Sequence, residues 1–154
     1  MKKLQLYGKH TTFDYEEDVW ELTDSNDYFK DKKVVLFNLP SMLDFENNIE
    51  DFRKHNIDEI YCVSVNDTFV MNSWFESLGI KNVYPLPDGN GEFTHLIGAE
   101  CSKSNLGFGY RSWRYAVVIN DGVIEKTFIE DGYTDNAESD PYEVSSPENI
   151  LENL

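Results

Sequence analysis

Two apolar, β-branched runs, Val34-Val35-Leu36-Phe37 and Ile60-Tyr61-Cys62-Val63-Ser64-Val65, flank a segment of different period. Between them Met42, Phe45, Ile49 and Phe52 recur at helical spacing, with Asp44, Glu46, Asn47, Glu50 and Asp51 on the opposite side. Strand, helix, strand is the pattern of a βαβ unit, whose crossover is right-handed and whose strands are parallel and buried on both faces. A very short turn, Leu39-Pro40-Ser41, leads into that helix. It holds no cysteine, histidine or glycine-rich loop.

The remaining elements fall on either side of this unit. Leu4, Leu6, Phe13, Tyr15, Val19, Trp20 and Leu22 alternate loosely and suit peripheral strands or a hairpin, followed by a capped short helix ending near Phe29. Asn66-Asp67-Thr68 offers N-caps for a second helix with the stripe Val70, Met71, Trp74, Phe75 and Leu78, and Gly79 fits its C′ position. Val83–Leu86 reads as a strand, and a turn over 87–91 leads to a helix around Phe93, Leu96 and Ile97. Residues 103–109 form a polar loop. Asn120-Asp121-Gly122 between two strand-like runs, 115–119 and 123–129, is a hairpin signal, because a type I′ turn needs positive φ at both central residues. An irregular acidic stretch over 130–145 precedes Ser146-Pro147-Glu148, with serine at N-cap and proline at N1 of a last helix docked by Ile150, Leu151 and Leu154. This order predicts an α/β chain with a thioredoxin-like fold, a mixed central sheet with helices on both faces. Residues 1–154 read as a single domain.

The net charge of −16 argues against nucleic acid and anionic membrane as partners. No apolar run reaches the ~18 residues of a membrane span, and the N-terminus lacks the apolar stretch of a signal peptide. Two lone cysteines, Cys62 and Cys101, fit a cytoplasmic protein with reduced thiols. His10, His55 and His95 are scattered and make no metal set, the 87–91 loop lacks the carboxylates of a calcium loop, and 103–109 lacks the order of a P-loop. No metal and no cofactor is expected.

Several blocks then resemble one family closely: Val34–Pro40, Ile57–Asp67, Pro87–Phe93, Lys103–Gly109, Arg111-Ser112-Trp113-Arg114-Tyr115 and Val118–Lys126. Together they look like the peroxiredoxin-5 family of redoxin domains, from about Trp20 to the C-terminus. The resemblance implies a thioredoxin-like fold, thiol peroxidase chemistry and dimers. It also implies an active-site motif Pro-x-x-x-Thr-x-x-Cys, in which threonine and an arginine position the peroxide that the cysteine attacks. Pro40 matches the proline and Arg114 the arginine. Aligning Phe45 and Phe52 with the family's helix leaves roughly ten residues missing just after Ser41, a loop change that costs little stability. The threonine and the peroxidatic cysteine fall inside that gap. A further cysteine of some members corresponds to Ala137.

A reactive thiol needs a helix N-terminus or cation that favours the thiolate. The helix start here offers Ser41, Met42, Leu43 and Asp44, and Asp44 is placed to cap the helix or to pair with Arg114. Cys62 lies mid-strand and is expected buried and inert. Cys101, beside Lys103, is the more exposed candidate thiol. Arginine is rare, three residues against ten lysines, and two of the three stand in Arg-Ser-Trp-Arg, either as a ligand site or as an ion pair or stack bracing the hairpin. The reading is a redoxin without an intact catalytic site, of which Pro40 and Arg114 remain. It would act by self-association as a homodimer or as a heterodimer with an intact peroxiredoxin, through loops 41–45, 66–72 and 105–112. The alternative is a thiol-dependent peroxidase or oxidoreductase using Cys101 or Cys62.

Overall fold

The computed structural model describes residues 9–38 and 41–154. The chain enters through a hairpin, β1 (Lys9–Asp14) and β2 (Val19–Asp24), then a single turn α1 (Ser25–Phe29) whose N-cap Asp24 accepts from the N–H of Asn26 at 2.9 Å. The central unit follows as β3 (Lys33–Asn38), α2 (Met42–Asn47), α3 (Ile49–Lys54) and β4 (Glu59–Ser64). The amphipathic segment expected as one helix is thus two. At Asn48 the backbone leaves helical geometry (φ −105°, ψ 11°), while Phe45, Ile49 and Phe52 stay on one buried face.

Next come α4 (Thr68–Leu78), β5 (Val83–Pro87) and α5 (Glu92–Leu96). Asp67 caps α4 by accepting from the N–H of Val70 at 2.9 Å, and Gly79 closes it with φ 66°. Of the stripe predicted for α4, Met71 and Phe75 are buried and Trp74 is half-buried, whereas Val70 and Leu78 face solvent. Periodicity overstated the buried face because α4 packs along one narrow side. Likewise Leu96, the last residue of α5, is exposed. The 103–109 loop proves to be the tip of a small antiparallel hairpin, β6 (Glu100–Ser102) and β7 (Tyr110–Ser112), with a 3₁₀ turn at Ser104–Leu106. The long hairpin β8 (Tyr115–Asn120) and β9 (Val123–Ile129) turns through Asp121 (φ 48°) and Gly122 (φ 76°), both left-handed as expected. The last helix, α6 (Pro147–Glu152), starts at the Ser146 N-cap and buries Ile150.

Five strands form the central sheet in the order β5-β4-β3-β8-β9. β3, β4 and β5 are parallel, and β8 and β9 join antiparallel. Alternate strand residues feed two cores. On one face Val35, Phe37, Ile60 and Cys62 meet Met42, Phe45, Phe52, Met71, Phe75 and Ile150; on the other Val34, Leu36, Tyr61 and Val63 meet Phe29 and Phe93. The sheet is therefore mixed, with helices on both faces, in a thioredoxin-like arrangement. Helix α2 is well anchored on the sheet. Phe45 stacks on Phe37 with centroids 3.9 Å apart and planes 8° from parallel, and Glu46 accepts from the N–H groups of Lys81, Asn82 and Val83 at 3.0–3.1 Å.

Candidate functional site

The parallel strands β3 and β4 end side by side at Asn38 and Ser64, and a cleft of about 410 Å³ opens beyond them. Ligand clefts of α/β sheets lie in this place, outside the carboxyl ends of the strands. Arg111, Arg114 and Lys103 bring positive charge to it, Asp140 brings one negative charge, and Trp74 and Phe108 supply apolar walls.

Arg111 stands on β7. Its Nη1 donates to the carbonyl of Val65 at 2.6 Å and to Asn66 Oδ1 at 3.0 Å, and its Nε donates to the carbonyl of Phe108 at 3.0 Å. Arg114, just before β8, is 7% exposed. Its Nη2 donates to Asp140 Oδ2 at 2.6 Å, and its Cζ lies 5.2 Å from the centre of the Tyr142 ring. Of the two roles open to Asp44, capping the helix or pairing with Arg114, the pairing does not form. Asp44 instead accepts from the Tyr142 hydroxyl at 2.9 Å, and the side chain of Ser41, the N-cap of α2, makes no capping bond. Residues 140–142 thus cross from Arg114 to the start of α2. Pro40, the other vestigial residue expected here, lies outside the described residues, as does Leu39.

Neither cysteine lines the cleft. Cys62 is fully buried in β4, and burial pushes its thiol well above the ordinary range. Cys101 was expected to be the exposed thiol, but it sits in β6 at 2% exposure. Its strand pairs with β7 in a small local hairpin, Cys101 opposite Arg111, which the loop-like composition between them does not announce. Burial raises the Cys101 pKa, Lys103 lowers it, and Asp135, Asp140 and Glu100 raise it further, for a net rise. Both side chains therefore stand as thiols at neutral pH.

Among the described residues no three histidine, cysteine or carboxylate side chains gather as a metal site. His10 is fully buried rather than on a polar surface: its Nδ1 donates to the carbonyl of Pro87 at 2.9 Å and its Nε2 accepts from the hydroxyl of Ser25 at 2.7 Å. Burial lowers its pKa, so the ring stays neutral and clamps the β1–β2 hairpin to the sheet. No helix among the described residues is long and apolar enough to cross a membrane.

A thioredoxin-like sheet with an arginine-lined cleft at the carboxyl ends of its parallel strands is the frame to set beside known proteins. The redoxin family pattern matches residues 15–144. The chain belongs to the peroxiredoxin family. A peroxiredoxin of Rhizobium etli is 53% identical over 145 residues, covering 88% of this chain and 81% of that protein. A peroxiredoxin of Synechocystis is 46% identical over 142 residues, covering 86% and 75%. Among solved structures, the Plasmodium falciparum antioxidant protein, a 1-Cys peroxiredoxin, superposes with a TM-score of 0.88 at 28% identity over the whole of both chains. Reduced Prx3 from Vibrio vulnificus in complex with hydrogen peroxide does so with a TM-score of 0.84 at 29% identity, covering 99% and 98%.

Arg114, expected from the sequence at the remnant of a peroxide site, lines the cleft. The sequence did not point to Asp140 or Tyr142. Both lie in the irregular acidic stretch, and only the folded chain brings them within reach of the guanidinium, which Asp140 meets across 26 residues of chain.

Proposed function

We propose that this chain is a peroxiredoxin-5-type protein without a peroxidatic thiol, acting by binding rather than by peroxide reduction. The observation that carries this reading is the absence of either cysteine from the Arg114 cleft, both thiols being buried with raised pKa. Peroxide reduction requires a thiolate to attack the O–O bond, and a buried neutral thiol in a strand neither ionises nor reaches it. The residues at the head of α2 are Ser41, Met42, Leu43 and Asp44, and serine there has no histidine base beside it. The Rhizobium comparison supports a shortened turn. It runs over 145 residues but takes up 88% of the 154 here, about 136, so this chain is about nine residues short within the matched span.

The binding surface we favour is a homodimer, or a heterodimer with an intact peroxiredoxin, built on the loops beside the cleft. Leu43 on α2, Phe69 and Val70 on α4, and Leu106, Phe108 and Tyr110 on the β6–β7 hairpin are between 45% and 67% exposed, large apolar side chains on an acidic chain. Unpaired, buried Cys62 and Cys101 suit the reducing cytoplasm.

The second reading, thiol peroxidase or oxidoreductase chemistry at Cys62 or Cys101, draws on the names of the relatives, which are peroxiredoxins. One assay separates the two. Peroxide consumption with a thiol reductant is measured for the native protein and for Cys62→Ser and Cys101→Ser. The binding reading expects a rate no faster than free thiols; enzyme-like turnover of ~1 s⁻¹ or more that one serine variant abolishes would establish the peroxidase reading.

A further inference from the structure

The sheet face that meets Phe29 and Phe93 is covered along only part of its width. Its helices among the described residues, α1 and α5, are five residues each and share a core with Val34, Leu36, Tyr61 and Val63. On the β8–β9 hairpin Tyr115 stands opposite Ile129, and Val117 opposite Thr127. Residues paired in this way share one face, so these side chains project on the side of α1 and α5. Tyr115 and Val117 are buried there, while Thr127 and Ile129, on the outer strand, stay exposed.

Beside them lies a cavity of about 150 Å³. Val117 and Ile124 line it from the sheet, Ile97 and Ala99 from the chain leaving α5, and Trp113 and Tyr133 with aromatic rings. The polar edges of both rings are already used: Trp113 Nε1 donates to the carbonyl of Glu130 at 2.7 Å, and the Tyr133 hydroxyl donates to that of Glu100. Their ring centroids are 5.8 Å apart and their planes 48° from parallel. The wall's backbone is satisfied too, the Ala99 N–H donating to the carbonyl of Thr94 at 3.0 Å and the Trp113 N–H to that of Ala99 at 2.8 Å. Among the described residues none that lines the cavity is charged, in a chain of which 27% is charged, so an ionic ligand would lose its water here without gaining a partner.

Size and shape narrow the ligand further. An apolar cavity of this volume holds about one six-membered ring, too little for a helix or strand of a partner protein. Two fixed aromatic walls favour a planar guest, because tilted or offset ring contacts add to the burial of area. We infer that this cavity binds a small uncharged aromatic molecule, a single ring set against Trp113, Tyr133 and the apolar side chains of β8 and β9. The site shares no lining residue with the cleft of Arg111 and Arg114, so the inference stands apart from the reading of that cleft.

Fluorobenzene is the probe, followed on the full chain by fluorine NMR and by thermal unfolding at physiological ionic strength. It should bind saturably with a dissociation constant of about 1 mM or tighter, a modest demand per non-hydrogen atom. At tenfold above that constant the melting temperature should rise by about 3–5 °C. Thr127→Trp places a ring of the chain's own over the cavity and should weaken the probe at least about tenfold, the scale of overfilling a packed site. Ile129→Asp, which puts a charge at the rim, should weaken it as well. Both positions are exposed, and a cooperative melting transition checks that each variant is folded. Phe108→Ser, in the other cleft, should leave the affinity unchanged, and the cation 4-fluorobenzylammonium should bind more weakly than fluorobenzene. No saturation in this range, equal binding of the cation, full affinity in Thr127→Trp, or a loss in Phe108→Ser would each overturn the inference. An affinity that falls as protein concentration rises would assign the cavity's mouth to a second copy of the chain, and would overturn it too.

Discussion

Glu130 accepts hydrogen bonds from both the backbone N–H and the hydroxyl of Ser145, at 2.9 and 2.7 Å. The same oxygen also takes the N–H of Glu143 at 2.8 Å, and the backbone carbonyl of Glu130 accepts from Trp113 Nε1 at 2.7 Å. A carboxylate that is 3% exposed thus gathers the two ends of the irregular 130–145 segment and ties it to the strand hairpin. Asp140 reaches the cleft, and Tyr142 reaches Arg114 and Asp44, from the segment that this knot holds in place.

Glu130→Ala should therefore destabilise the protein by roughly 2–4 kcal/mol, since it strands several donors at once. Chemical denaturation at pH 7 measures this, and a loss below about 0.5 kcal/mol, the usual range of an ordinary surface substitution, would mean the knot is not structural.

The pH dependence follows from two glutamates. Burial works against ionisation of Glu130, but the bonds from Ser145, Glu143 and Val144 outweigh it and lower its pKa; Glu46 is lowered in the same way by Asn82, Val83 and Lys81. A carboxyl whose folded pKa lies below its unfolded value contributes stability fully above the unfolded pKa, and that contribution fades as pH falls through the folded one. Stability should hold from neutral pH down to the ordinary carboxylate range and fall below it. The fall should be shallower in Glu130→Gln and in Glu46→Gln, as read from denaturation midpoints across the acid range.

Thiol accessibility gives a direct test of the buried cysteines. A small disulfide reagent at neutral pH should label neither side chain quickly in the native protein and both after unfolding. Where labelling of the native state occurs, Cys101 should lead, because β6 belongs to a two-stranded hairpin while Cys62 sits in the middle strands of the central sheet. Cys62 reacting first would mean that β4 opens before the small hairpin.

Association is tested at the loops. A homodimer through Phe69, Phe108 and Tyr110 should show a doubled mass by light scattering at micromolar concentration and moderate salt. Tyr110→Glu should weaken it by about thirtyfold or more, the scale of losing an interface anchor worth ~2 kcal/mol. A strictly monomeric mass would remove the homodimer, and the absence of any peroxiredoxin in material co-purified from its own cells would remove the heterodimer.

Local chemistry by itself settles a good deal of this peroxiredoxin. The β-branched runs at 34–37 and 60–63, the caps at Asp67 and Ser146, Gly79 after α4 and the Asp121-Gly122 turn are all read within a few residues of themselves, and each forms as expected, since strand pleat, helix caps and positive φ are properties of the near chain. Cys62 was legible for the same reason: an apolar run on both sides implies burial. What depended on how the elements pack together was not legible. The β6–β7 pairing buried Cys101, packing against one side left Val70 and Leu78 outside, and Asn48 divided one expected helix in two. Above all, the partner of Arg114 proved to be Asp140 rather than Asp44. Both are carboxylates in acidic stretches, indistinguishable by composition. Which of them reaches the guanidinium depends on where the Glu130 knot holds a segment with no periodicity of its own, and only the tertiary structure decides that.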